Sequence, residues 1–176
     1  MLHWFGPIKC IEDVAKWEHD NIEHVCNLYI IEGKRPNARI TRHYYCGKTI
    51  QGVNKRLSNL GHHIEDLKTV DEIWMGCIRN VKPQKDDILI LENIVTAYLS
   101  AEVGDKKMLN AINKKFPKHQ LCVINRWFKP TRESWHRFND GSPARLIPEV
   151  ILHYYAENIH MIYGAEKLKL LQMVED

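Results

Sequence analysis

Two phenols, a guanidinium and a carboxylate are the residues of this chain whose types and order suggest chemistry. Tyr29 lies in the apolar run VCNLYIIE, Tyr45 in the aromatic run RHYYCGK, Arg56 in the cationic stretch GVNKRLSNL and Glu92 in LILENIVTAYL. If the first two runs pair as a hairpin, side chains alternate across it, and the two tyrosines share a face when the registers match. Arg56, on the segment that follows, would point back over that face. Its planar fork of donors suits two oxygens of a phosphate. A phosphodiester is the ligand these groups fit.

The elements that must position them follow from the local pattern. Residues 10–20 read as a short amphipathic helix with Ile11, Val14, Ala15 and Trp17 near one face. The first strand is expected from Val25 to Glu32, stopped by Gly33, and the polar stretch 34–41, with Pro36 and Asn37, is a loop at the mouth of the site. Gly47 lets the chain turn out of the second strand, and Thr49 bonds locally to the turn backbone. A two-turn helix then ends near Gly61, and Glu72–Val81 is the third strand. Asp86 or Asp87 caps a helix whose stripe is Ile88, Leu91, Ile94, Val95 and Tyr98. Gly104 ends it, and Asp105 caps another helix through Asn113. A fourth strand is expected over QLCVINRWF. Pro148 opens a helix to about Ile159, and Ala165–Val174 forms a last one.

The ordered series Asn27-Leu28-Tyr29, Tyr45-Cys46-Gly47, Arg56 and Glu92 resembles the core of the GIY-YIG nuclease superfamily, whose two named tripeptides lie on adjacent strands with an arginine on the next helix. The resemblance covers about residues 25–113. It implies an α+β fold, a small and mainly antiparallel sheet of three strands, with room for a fourth, flanked by helices. Residues 1–24 would be an N-terminal helical extension, 25–113 the nuclease core and 114–176 a C-terminal extension packed on it. It further implies a divalent-metal-dependent DNA endonuclease, site-specific or structure-specific.

Hydrolysis of a phosphodiester needs an activated water, neutralised phosphoryl oxygens and a stabilised leaving alkoxide. Tyr29 would be the general base or would position the water. With an ordinary pKa of about 10 it needs help from cations, for which Lys48 and Arg56 are available. Tyr45 would orient the water or the phosphate. Glu92 matches the family's metal-binding glutamate and would hold Mg²⁺ or Mn²⁺, while Asn110 matches its downstream asparagine. His43 and His62 are further supporting candidates. Each residue also has a structural reading: tyrosines pack well in strands, and a helix arginine or glutamate is ordinarily a solvated surface group. The order of the series favours function. Gly47-Lys48-Thr49 is not a nucleotide-binding loop, because the glycine such a loop needs upstream falls at Arg42.

Composition sets the outer bounds. The chain of 176 residues is 44% apolar, enough for one domain with a real core, and its formal charge is +3. That charge is segregated. Residues 33–56 carry Lys34, Arg35, Arg39, Arg42, Lys48, Lys55 and Arg56 with no acid. A second basic tract, Lys106–Arg137, brings Lys114, Lys115, Arg126 and Arg132 among Phe116, Trp127, Phe128 and Trp135. Such a surface tracks a phosphate backbone and stacks bases, so DNA, double-stranded, is the expected partner. Five scattered cysteines form no close pair, which predicts neither zinc nor a disulfide framework and points to a reducing, cytoplasmic setting. No apolar run has membrane-spanning length. Oligomeric state is open, with a homodimer allowed. The readings set against the nuclease are a nucleic-acid-binding module of the same fold without cleavage, and a protein-interaction domain whose tyrosines are only packed.

Overall fold

A computed structural model of the chain describes residues 1–79, 83–110, 120–134, 140–156 and 159–165, the stretch from 155 onward by its backbone alone. Among the described residues seven strands form one sheet in the order β3-β2-β4-β1-β5-β6-β7. They are β1 (Leu2–Ile8), β2 (Cys26–Lys34), β3 (His43–Lys48), β4 (Thr69–Ile78), β5 (Leu121–Phe128), β6 (Val150–Ala156) and β7 (Ile159–Ala165). All neighbours are antiparallel except β1 and β5, so the sheet is mixed. Few helices accompany it: α1 (Ile11–Asp20), α2 (Val53–Leu57), α3 (Lys85–Val103) and the single turn α4 (Pro143–Leu146).

This corrects the expectation of a small three-stranded sheet flanked by helices. The hairpin β2-β3 and its neighbour β4 are where the sequence places strands, but they make up one end of a sheet more than twice as wide. Two misreadings account for the difference. Residues 2–8 carry Gly6 and Pro7 and show no clean alternation, yet they run through the middle of the sheet. The register shift between Phe5 and Ile8 accommodates the missing proline donor. Pro148 was expected to open a helix. The residues after it, VILHYYA and IHMIYGA, are β-branched and aromatic, and they pair as a hairpin from Val150↔Ala165 to Ala156↔Ile159. The segment expected as a helix over 105–113 forms only a short 3₁₀ turn, Asp105–Lys107, before the described residues end at 110.

Over β1–β4 the sheet buries both faces. On one, Trp4, Leu28, Ile30, Tyr44, Cys46 and Trp74 pack with Ile88, Ile94, Val95 and Leu99 of α3. Each of those four helix residues contributes about 1.5–3 kcal/mol by leaving water. On the other face, Phe5, Tyr29, Ile31, Tyr45, Ile73 and Met75 pack with Val14 and Trp17 of α1 and Val53 and Leu57 of α2. Gln84 caps α3 reciprocally with Asp87, so Asp87 works from inside the first turn while Gln84 is the cap. Cys26 and Cys77 lie opposite each other on β2 and β4 and are joined as a disulfide, against the expectation of no such bond. A sequence separation of 51 hid the pair. Among the described residues no helix is long and apolar enough to cross a membrane.

Candidate functional site

The hairpin register puts Tyr29 opposite Gly47 and Tyr45 opposite Ile31, so the two phenols are diagonal neighbours on the α1/α2 face. Their ring centroids are 5.9 Å apart. Gly47 is required by contact: a Cβ there would fall on the hydroxyl end of the Tyr29 ring and lie 2.7 Å from Tyr45 Cε1. The expected role of Gly47 as a turn residue is thus replaced by close approach. Thr49 does bond its own turn, accepting from Gln51 N at 3.0 Å and donating to Gly52 O at 3.1 Å.

His62 completes the phenol pair. Its Nε2 is 2.8 Å from the Tyr29 hydroxyl, and its Nδ1 accepts the Ile64 backbone N–H at 3.0 Å. Burial first, then the nearby Arg56 and His63, push its pKa down to about 4, so the ring is neutral near pH 7. A neutral ring whose Nδ1 accepts must carry its proton on Nε2 and donate it to Tyr29. Burial also raises the pKa of Tyr29 and of Tyr45, with Arg56 as the opposing charge. Tyr29 is 0% exposed and its ring packs against that of Tyr45, which is 8% exposed. His62 thus holds the Tyr29 hydroxyl by a hydrogen bond, and Tyr29 in turn packs beside Tyr45. The cations do not make Tyr29 a standing base.

Arg56 interacts with both phenols from α2, the placement the spacing predicted. The helix that carries it is held from a distance. Glu18 of α1 accepts the Val53 N–H at 2.6 Å and the Asn54 N–H at 3.0 Å, one carboxylate oxygen each, so it caps α2 across 35 residues of sequence. Nothing in the local pattern around residue 52 pointed to Glu18. His62 had weak sequence support, and only the fold gives it a role.

Glu92 approaches from the opposite face of the sheet. α3 presents it, almost fully buried, to Lys48 at the end of β3, with which it forms an ion pair, and its charge reaches Tyr45 and Cys46. Lys48 and Arg56 both line a cavity of about 320 Å³ at this edge of the sheet. No group of three or more His, Cys, Asp or Glu is gathered for a metal among the described residues. One carboxylate still fits a magnesium-like ion, which keeps most of its waters and takes the remainder of its shell from substrate phosphate. Asn110 is a backbone clamp: its Oδ1 accepts the Cys46 N–H at 3.0 Å and its Nδ2 donates to Cys46 O at 2.7 Å, so it splints the Tyr45–Gly47 strand. His43 lies further up β3, beside Arg35 and Lys107, away from the His62 side of the phenols.

The basic residues divide. Lys34, Arg35 and Arg39 line a second, polar recess with Lys68 beyond the far end of β2. Arg42 instead folds onto the buried Glu32, with Nη1 3.3 Å from Oε1. Lys55 is exposed on α2 beside Arg56. Arg126 is exposed on β5, three strands from β2, and Arg132 pairs with Glu23 at 3.0 Å beside α1. Lys114, Lys115, Phe116 and Trp135 lie outside the described residues.

No protein-family model matches this chain, and no curated protein or solved structure matches it.

Proposed function

We propose that the chain is a divalent-metal-dependent endonuclease that hydrolyses DNA phosphodiester bonds with active-site chemistry like that of GIY-YIG nucleases. The observation that carries this reading is the meeting of Tyr29, Tyr45, Arg56 and His62 on one face of the sheet, with the Lys48–Glu92 ion pair at the same edge on the other face. These residues come from β2, β3, α2, α3 and the cap of the short 3₁₀ turn His63–Asp66, so elements far apart in sequence supply them.

Arg56 places a fixed charge beside both phenols and opens on the cavity, where it would grip two oxygens of the scissile phosphate. Tyr29 is sealed from solvent and acts through Tyr45. The Tyr45 hydroxyl, on the less buried of the two phenols, would contact the attacking water or a phosphoryl oxygen. His62 holds the Tyr29 hydroxyl from behind. Both phenols enter as neutral positioning groups, and proton removal from the water becomes possible for Tyr45 only as substrate and cations assemble around it. Glu92 would hold the metal, with Lys48 beside it. The bound ion would supply charge neutralisation at the phosphoryl oxygen and the leaving alkoxide.

A module that binds nucleic acid without cutting is the second reading. Lys48 favours it, because its ammonium occupies the carboxylate that a metal would need. The two readings separate on plasmid, branched and single-stranded DNA incubated with and without Mg²⁺. Nuclease activity predicts Mg²⁺-dependent cleavage that Tyr29→Phe and Arg56→Ala each reduce by orders of magnitude, with the double variant little worse because the groups act as a unit. Binding without cleavage by the parent chain, or parental cutting by either folded variant, overturns the reading.

A further inference from the structure

The cavity at the catalytic edge holds more than a phosphate requires. Among the described residues its cations are Lys48, Arg56 and Lys85, and no described residue lining it is acidic. Lys85 is the first residue of α3. Between the cations stand two carboxamides, Gln51 and Asn59, and the side chain of Ile50, 65% exposed. A surface built only to track phosphates needs neither amides nor an exposed aliphatic. An amide offers one donor and one acceptor in a plane, which matches a base edge and not a phosphate. Ile50 offers an apolar surface to a base face. The volume of about 320 Å³ lies at the lower end of the range of small-ligand sites, on the scale of one nucleotide.

We propose that this cavity takes a nucleotide displaced from the base stack immediately beside the scissile phosphate. Its phosphate would lie on Lys85 and Arg56, its base edge on Asn59 and Gln51, and its base face on Ile50. Because Arg56 also touches Tyr29 and Tyr45, the bound nucleotide would be covalently next to the phosphate at the phenols. The substrate class is then DNA with an unpaired or easily extruded nucleotide at the cut. This deepens the nuclease reading and rests on it for the position of the cut, but the pocket itself is tested by binding. Unstacking costs least when the nucleotide is already unpaired, so such DNA should bind more tightly than paired DNA.

The test compares two duplexes of otherwise identical sequence, one fully paired and one with a single bulged 2-aminopurine, by fluorescence anisotropy without Mg²⁺. The parent chain should prefer the bulged duplex by roughly tenfold, the discrimination expected of one well-made amide–base pair, and 2-aminopurine emission should change on binding. The variant Gln51→Ala/Asn59→Ala, altered at two exposed side chains, should keep its affinity for paired DNA and lose the preference. Equal affinity for both duplexes, a preference that survives in the variant, or no binding to either overturns the pocket. Cleavage with Mg²⁺ but no preference would overturn the pocket and leave the nuclease reading standing. A preference without cleavage would do the reverse.

Discussion

The Tyr29 phenol lies directly over Gly47, its cross-strand partner, in the space a Cβ would need. That contact sets how far the hydroxyl can stand from the sheet, and hence whether it meets both His62 and Tyr45. Gly47→Ala should push the ring away at a cost of about 1–3 kcal/mol, the usual penalty of overpacking. DNA affinity should be nearly unchanged, since the basic surface is untouched, while cleavage falls at least a hundredfold. Denaturant unfolding, anisotropy and a cleavage assay on the same sample check the three parts, and full activity in the variant would sink the account.

Glu92 should be needed for cutting and dispensable for binding. Glu92→Gln keeps the shape of the side chain but removes the charge that would hold a divalent ion, and most contacts that position DNA go to phosphates elsewhere. Cleavage should vanish at every Mg²⁺ concentration while the dissociation constant changes less than about threefold, under half of one tenfold step. Turnover at the parental rate would remove Glu92 from the mechanism.

The arginines of the 34–42 stretch should not behave alike. Arg35 and Arg39 line an open recess, whereas Arg42 is engaged with buried Glu32. Replacing Arg35 and Arg39 by alanine should make the slope of log affinity against log salt shallower by about 2, one counterion for each charge. Arg42→Ala should leave the slope alone and lower stability, because it strands a buried carboxylate. An identical effect from all three would mean that Arg42 leaves Glu32 to meet DNA.

Glu32 and His62 should give stability opposite dependences on pH. Glu32 is 0% exposed, faces Glu72 across β2 and β4, and has its pKa raised from 4.5 to about 7, by burial first, with Arg42 opposing and Glu72 and Asp71 adding. Between those values the folded chain holds a proton that the unfolded chain has lost, so stability falls as pH rises from about 4.5 to about 7. For His62, lowered from 6.5 to about 4, the unfolded chain holds the extra proton, so stability falls as pH drops through that window. The two slopes offset each other over most of the range. Glu32→Gln should raise stability above pH 7 by up to roughly 3 kcal/mol and uncover the acid-side loss due to His62. A variant less stable than the parent at pH 8 would show that the Arg42 ion pair outweighs the burial cost.

The two strands of the hairpin were legible because strand alternation is local; their register, and with it the face shared by Tyr29 and Tyr45, came from the pairing itself, and β2 runs on through Gly33, which was expected to stop it. The helix of Glu92 was legible for the same reason, from its stripe and from the glycine at its end. What came from distant residues was not. Leu2–Ile8 enters the middle of the sheet because long-range partners on β4 and β5 cover its apolar side chains, and nothing within seven residues records those partners. The C-terminal hairpin was misread because proline signals a helix start and a strand approach alike, and only pairing with β5 decides between them. Glu18 capping α2, Cys26 bonded to Cys77, and Lys85 facing Arg56 across a cavity are all products of packing. The residue types that could do chemistry are written in the sequence. Which of them are buried, which way their protons point and which cations have already found a partner are settled by the tertiary structure, because desolvation and hydrogen-bond direction depend on what surrounds an atom in space.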